Sequence, residues 1–190
     1  MEAVKTPTAN GPRERLLEAA RELTYTHGVA IGVDAILAKA RVARRSLYQH
    51  FGGKDGLIAQ VLHMTAAADL QRYQAALDSG GDHPRQRLLA MFDAFEAKVS
   101  AAGFRGCRYA AADLALPDRN HPAHAETRAY RKGLHRLLEH ELERLGRTDA
   151  AFAADKLLLL LEGALAAAAT RPETYPARAA RAMAVQVIDG

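Results

Sequence analysis

Between Pro12 and Ile188 the apolar residues return every three or four positions, and most of these runs are cut off by glycine or proline. Leu16, Leu17, Ala20 and Leu23 make one stripe, Leu57, Val61, Met64 and Leu70 a second, and Tyr130, Leu134, Leu137, Leu138, Leu142 and Leu145 a third. That spacing gathers side chains on one face of a helix, whereas a strand needs alternation. Alternating β-branched runs do not occur, and the good helix formers Ala, Leu, Glu and Arg dominate. The chain therefore reads as all-α.

Nine helices follow from the stripes and their stops. They span about 13–27, 33–40, 44–50, 54–77, 84–101, 107–116, 123–145, 149–170 and 176–188. Pro12 opens the first and Gly28 closes it, Ser79-Gly80-Gly81-Asp82 ends the fourth, and Arg171-Pro172 ends the eighth. Residues 1–12 hold no apolar run and read as a flexible arm, not a signal peptide. Residues 13–53 form a compact basic head, and 54–190 a larger apolar body entered through the fourth helix.

With 190 residues, 49% of them apolar, the chain can bury a substantial core, which excludes global disorder. The longest apolar run, Leu157 to Ala169, contains Glu162 and is too short to cross a bilayer. A single cysteine, Cys107, excludes an internal disulfide framework and suits a reducing cytoplasm. A soluble cytoplasmic protein without a membrane partner is expected.

The net charge of +4 only permits nucleic-acid binding; its local distribution says more. Between Ala35 and Lys54 stand Lys39, Arg41, Arg44, Arg45 and Lys54 with no acid among them. Two short helices joined by the turn Arg41-Val42-Ala43 have the dimensions of a helix-turn-helix, whose second helix enters the DNA major groove. In that second helix Arg44, Arg45, Ser46, Tyr48, Gln49 and His50 are polar and Leu47 alone is clearly apolar. A soluble core helix is seldom so polar.

The run Leu47-Tyr48-Gln49-His50-Phe51-Gly52-Gly53-Lys54-Asp55-Gly56-Leu57 resembles the signature of the TetR family of bacterial transcriptional regulators. That family carries Leu-Tyr-x-His-Phe, two turn residues, Lys, an acid and Leu at this spacing. Ile36, Ala40 and Val42 fall where it has its Ile and its Ala-Gly-Val turn. In the body, Phe104-Arg105-Gly106-Cys107-Arg108-Tyr109, His121-Pro122 and Leu161-Glu162-Gly163-Ala164-Leu165 are similar to one branch of the same family. The resemblance implies a homodimeric, ligand-responsive regulator, most simply a repressor, bound to a palindromic double-stranded DNA operator. It implies no enzyme and no cofactor.

Residue roles follow from the same likeness. Tyr48, His50 and Lys54 are expected on phosphate oxygens, with Arg41 adding another such contact, and Arg44, Arg45, Ser46 and Gln49 face base edges. The pattern is broken at three places. Arg41 replaces the turn glycine, Ala43 stands where Ser or Thr caps the recognition helix, and Gly32 stands where Thr caps the second helix.

For the body the resemblance implies an effector cavity, with Met64, Met91, Phe92, Phe95, Phe104, Cys107, Tyr109, Tyr130 and Leu134 as lining candidates. Ordinary core packing accounts for the same side chains. Cys107, near Arg105 and Arg108, reads either as a reactive thiol or as an inert buried one. Asp118, His121 and His124 recur every third residue, but Pro122 breaks the face they would share, so no metal is expected. The eighth helix is apolar on nearly every side. Leu158, Leu161, Glu162, Gly163, Leu165 and Ala166, with Met183 and Val187 of the last helix, are expected at a dimer interface, a central core helix being the alternative.

Two other classes fit the composition. One is an all-helical enzyme using Cys107 or the His121/His124 pair, for which no nucleophile, base and orienting group can be read together. The other is a helical interaction protein whose basic head meets an acidic partner or a membrane surface.

Overall fold

The computed structural model of the chain describes residues 11–171 and 175–190. Apart from Gly11 and Pro12, the arm read over residues 1–12 lies outside the described residues, as does the stop at Pro172. Among the described residues there are nine helices and no strand. They are α1 (Pro12–His27), α2 (Val33–Ala40), α3 (Arg44–Phe51), α4 (Lys54–Ser79), α5 (Pro84–Val99), α6 (Arg108–Ala115), α7 (Ala123–Arg144), α8 (Ala150–Thr170) and α9 (Tyr175–Asp189). The boundaries read from the apolar spacing agree with these to within two residues.

The stops have local causes. Pro12 opens α1, where its missing N–H has no intrahelical partner to lose, and Gly28 ends it at φ 81°, a conformation that costs glycine little. At the start of α5 the ring of His83 accepts a hydrogen bond from the Arg85 N–H at 3.3 Å, and Pro84 follows it at the first helical position.

Two hydrophobic cores result. The smaller joins Leu16, Leu17 and Ala20 of α1, Ile36 and Leu37 of α2 and Leu47 of α3, with Leu57 and Val61 of α4. The larger is the body core, built by α4 through α9 around Phe92, Phe95, Leu138, Leu142 and Leu157. Helix α4 belongs to both. Leu57 and Val61 face the head, while their neighbours Ile58 and Leu62 face the body. Each buried side chain of this size contributes about 1.5–3 kcal/mol, so four of them fix the orientation of α4 on either side.

A second joint lies behind the first. Val29, in the loop after α1, packs into the body core, and the Tyr25 hydroxyl accepts the Arg105 N–H at 2.9 Å. The Arg108 guanidinium lies 4.5 Å from the centre of the Tyr25 ring. The head is thus pinned at α4 and again just ahead of α6. No described helix is long and apolar enough to cross a membrane.

Candidate nucleic-acid interface

Helices α2 and α3 are joined by a turn that passes through one left-handed residue. Arg41 takes φ 52° and ψ 51°, the only positive φ outside glycine among the described residues. Its N–H donates to the Ala38 carbonyl at 3.2 Å, and the Val42 N–H donates to the Leu37 carbonyl at 3.2 Å, so the last carbonyls of α2 are satisfied. Ala43 and Gly32 start α3 and α2 without any side-chain cap. Two of the three breaks, Arg41 and Ala43, thus lie in the turn itself, and the third, Gly32, lies at the opposite end of α2.

Helix α3 hangs from two side chains. Leu47 is fully buried in the head core, and Phe51 packs against that core with the Arg13 guanidinium 5.6 Å from its ring centre. One turn apart, they leave the rest of the helix pointing out: Arg44, Arg45, Tyr48, Gln49 and His50 are exposed, and Ser46 is half-buried. Tyr48 is 58% exposed, a large ring held in water with no partner helix over it.

The corner that follows is made by glycines. Gly52 and Gly53 have φ 72° and 141°, and Gly53 precedes Lys54, the first residue of α4. No side chain caps α4, whose first residue is Lys54, so the N–H groups of its first turn have no side-chain partner at the cap. Such a helix start attracts anions. Gly56 permits the corner: a Cβ there would sit 2.0 Å from the Phe51 carbonyl oxygen.

Charge is arranged unevenly across this surface. Lys39 turns back to Glu22 of α1 at 2.6 Å, and Arg44 is paired with Asp34 at the start of α2. Asp55 is bridged to His121 Nε2 at 3.3 Å, which ties the first turn of α4 to the segment before α7. The Asp34 and His121 pairings lie outside the contacts expected from the sequence. Asp34 and Asp55 are the acids that bracket the basic run, and that placement was the available signal.

In the body the expected cavity residues separate into groups. Met91, Phe92 and Phe95 are entirely buried packing residues of α5, and Leu134 is buried with them. Tyr109 and Tyr130 stack with ring centres 3.7 Å apart, and the Tyr109 hydroxyl donates to Asp69 Oδ2 at 2.7 Å. Phe104 and Cys107 pack partly buried against the body core. Met64 does not join them. It is 49% exposed and lines a groove of about 470 Å³ between α1 and α4, with Leu17, Val61 and Arg21. A cleft of about 300 Å³ between α4 and α5 is lined instead by Asp69, Arg72, Tyr73, Ala94 and Lys98. On α5 the residues at 91, 92 and 95 turn to the core, so 94 and 98 are left to face this cleft.

The residues expected at the dimer interface also divide. Leu161 and Leu165 are 1% and 4% exposed and turn into the subunit's own core, the alternative weighed for this helix, and so are not on the exposed face. Gly163 and Ala166 are exposed, Met183 is half-exposed, and Leu158, Glu162 and Val187 are partly buried. Glu162 accepts from Arg131 at 3.0 Å. Leu159 and Tyr175, outside the expected set, are 70% and 73% exposed beside Gly163 and Met183, in a shallow apolar groove between α8 and α9. Among the described residues no group of three or more His, Cys, Asp or Glu is placed to hold a metal ion. His121 Nδ1 accepts the Ala123 N–H at 3.1 Å, and His124 pairs with Asp113 at 2.7 Å.

Comparison with known proteins adds four likenesses. Residues 16–61 match the model of "Bacterial regulatory proteins, tetR family". The solved structure of a chain described as a TetR transcriptional regulator (sav143) from Streptomyces avermitilis superposes with TM-score 0.85 at 36% identity, covering 95% of this chain and 99% of that one. The HTH-type transcriptional regulator YjdC of Escherichia coli K12 is 26% identical over 80% of this chain and 81% of its own length. The fold is shared, at TM-score 0.80 and 21% identity over 95% of this chain and 98% of that one, with a cysteine variant of the regulator CifR solved on a 26-base-pair operator duplex.

Proposed function

The chain belongs to the TetR family of bacterial transcriptional regulators, and from that premise we propose that it acts as a homodimeric repressor, two heads on one palindromic operator, released when a small molecule binds the body. One observation carries the DNA contact. Helix α3 is anchored by Leu47 and Phe51 while Arg45, Tyr48, Gln49 and His50 stand in solvent beside the uncapped start of α4.

In this reading Tyr48, His50, Lys54 and Arg41 hold phosphate oxygens and set the register. Arg45, Gln49 and Ser46 meet base edges, Arg suiting guanine and Gln suiting adenine. Arg44 joins them once it leaves or shares Asp34. Residues 13–53 are the DNA-binding unit and 54–190 the effector and dimerisation unit. A single head offers few contacts, so the operator is expected to carry two half-sites about 34–36 Å apart or a multiple of that. The exposed face of Leu159, Gly163, Ala166, Tyr175 and Met183 supports pairing of α8 and α9 with their copies, since an apolar patch of this kind on a monomer is unusual.

Release follows from the placement of α4. It starts at Lys54 and crosses both cores, so an effector that favours a tilted α4 changes the distance between heads. Couplings of this kind are typically about 1–3 kcal/mol, or about 5–150-fold in affinity.

The test is binding to the DNA flanking its own gene, titrated with salt. Selective binding to one palindrome with a steep loss of affinity as salt rises is expected. Lys54→Ala should weaken binding to every duplex and lower the salt slope by about one. Arg45→Ala should instead relax preference at particular base pairs, by about 1–3 kcal/mol. Equal affinity for all sequences at every salt concentration would overturn the reading.

A further inference from the structure

The cleft between α4 and α5 holds a charged arrangement that neither core explains. At its floor Asp69 is 5% exposed, and its two oxygens are taken by the Tyr109 hydroxyl at 2.7 Å and by Arg72. Burial pushes that carboxyl up, but Lys98, the Tyr109 hydroxyl and Arg72 together outweigh it and hold it below the ordinary carboxylate range. Asp69 is thus already charged and already satisfied.

Two cations stand over it, one from each wall. Arg72 lies at the mouth with its side chain 69% exposed, spending one nitrogen on Asp69. Lys98 of α5 donates to the Tyr73 hydroxyl at 3.3 Å and lies 5.2 Å from that ring's centre. An ammonium carries three donors and a guanidinium five, so most of the donors here are not committed to protein groups and can turn to a ligand. The buried Tyr73 ring and Ala94 give the cleft an apolar side. At about 300 Å³ it is of the size that takes a small ligand.

We propose that this cleft binds a small organic carboxylate, its anionic end on Lys98 and Arg72 and a flat apolar tail along Tyr73 and Ala94, and that this compound is the effector. The proposal rests on the ligand-responsive reading given above. The surplus positive charge selects the sign of the ligand. With the Asp69 carboxylate counted, Lys98 and Arg72 leave one net positive charge that disfavours an organic cation, and a neutral compound gives them a weaker acceptor. Because Arg72 belongs to α4 and Lys98 to α5, an occupant that draws on both re-spaces these helices, and α4 carries that change to Lys54.

Calorimetric titration of the full chain with benzoate, benzyl alcohol, benzylamine and inorganic phosphate tests this, with operator binding measured alongside. Benzoate should bind saturably, at least about tenfold more tightly than the other three, and lower operator affinity. Lys98→Met should weaken benzoate about tenfold or more while operator affinity without benzoate stays unchanged, which also shows that the variant is folded; Lys98→Arg should restore most of the binding. Equal binding of all four probes, preference for benzylamine, or an unaffected Lys98→Met variant would overturn the assignment. Failure of benzoate to bind a protein that still holds its operator overturns the site and leaves the regulator intact. Saturable benzoate binding with unaltered operator affinity overturns the effector role.

Discussion

Arg41 holds a left-handed backbone that an L side chain adopts at a cost of about 1–2 kcal/mol. Glycine would remove that strain and give back about 0.5–1 kcal/mol through the freedom it gains in the unfolded chain. Arg41→Gly should therefore stabilise the protein by up to about 1 kcal/mol, raising the melting temperature by about 2–4 °C for a chain of this length. An unchanged or lower melting temperature, read by calorimetry, would show that the strain is relieved in another way. The same variant should lose operator affinity if the guanidinium meets a phosphate, so stability and binding would move in opposite directions. This residue was legible beforehand, because the family pattern places glycine where Arg41 stands. Asp69 was not, although a signal existed. Leu62, Ala66, Asp69 and Tyr73 share one helical face, and a carboxylate on an apolar stripe implies a partner arriving from elsewhere. That partner, Tyr109, lies 40 residues along the chain, a separation no local pattern spans.

The corner from α3 into α4 rests on a missing methyl group at Gly56. A Cβ there meets the Phe51 carbonyl oxygen at 2.0 Å, and because that oxygen is backbone it cannot swing aside. Gly56→Ala should spread the corner, shift Lys54 away from α3 and destabilise the chain by about 1–3 kcal/mol, typical of overpacking. Denaturant melts should show the loss of stability, and duplex binding should fall even where folding is complete. Retention of both would mean that the corner has slack elsewhere. Most element boundaries were readable because glycine and proline mark them and the apolar spacing runs between them, whereas the turn from α2 to α3 holds neither residue. Which face of each helix turns inward was less so. For α8, whose residues are apolar nearly all round, periodicity carries no orientation, and Leu161 and Leu165 proved to belong inside while Leu159 stayed out. On α5 the phenylalanines made the core, and the less conspicuous Ala94 and Lys98 border the cleft.

At the scale of the whole molecule, the proposed dimer can be separated from the fold of one subunit at Gly163. A Cβ on Gly163 meets nothing within 4 Å, and the residue is exposed on α8. Gly163→Leu should leave the subunit's far-ultraviolet spectrum unchanged yet halve the sedimenting mass or weaken self-association severalfold. A dimer that persists unaltered would place the contact on another face. Operator affinity should fall together with association, since two linked heads bind far more tightly than one. The sharing of α4 between two cores bears on how such proteins can be recombined. A chimera spliced at Gly53 would strip the donor head of Leu57 and Val61 and seat it on foreign side chains. A splice placed beyond Leu62 would carry the head's own floor with it. New operator specificities should therefore be transplanted with the first two turns of α4 attached, and the recipient asked only to accept their reverse side.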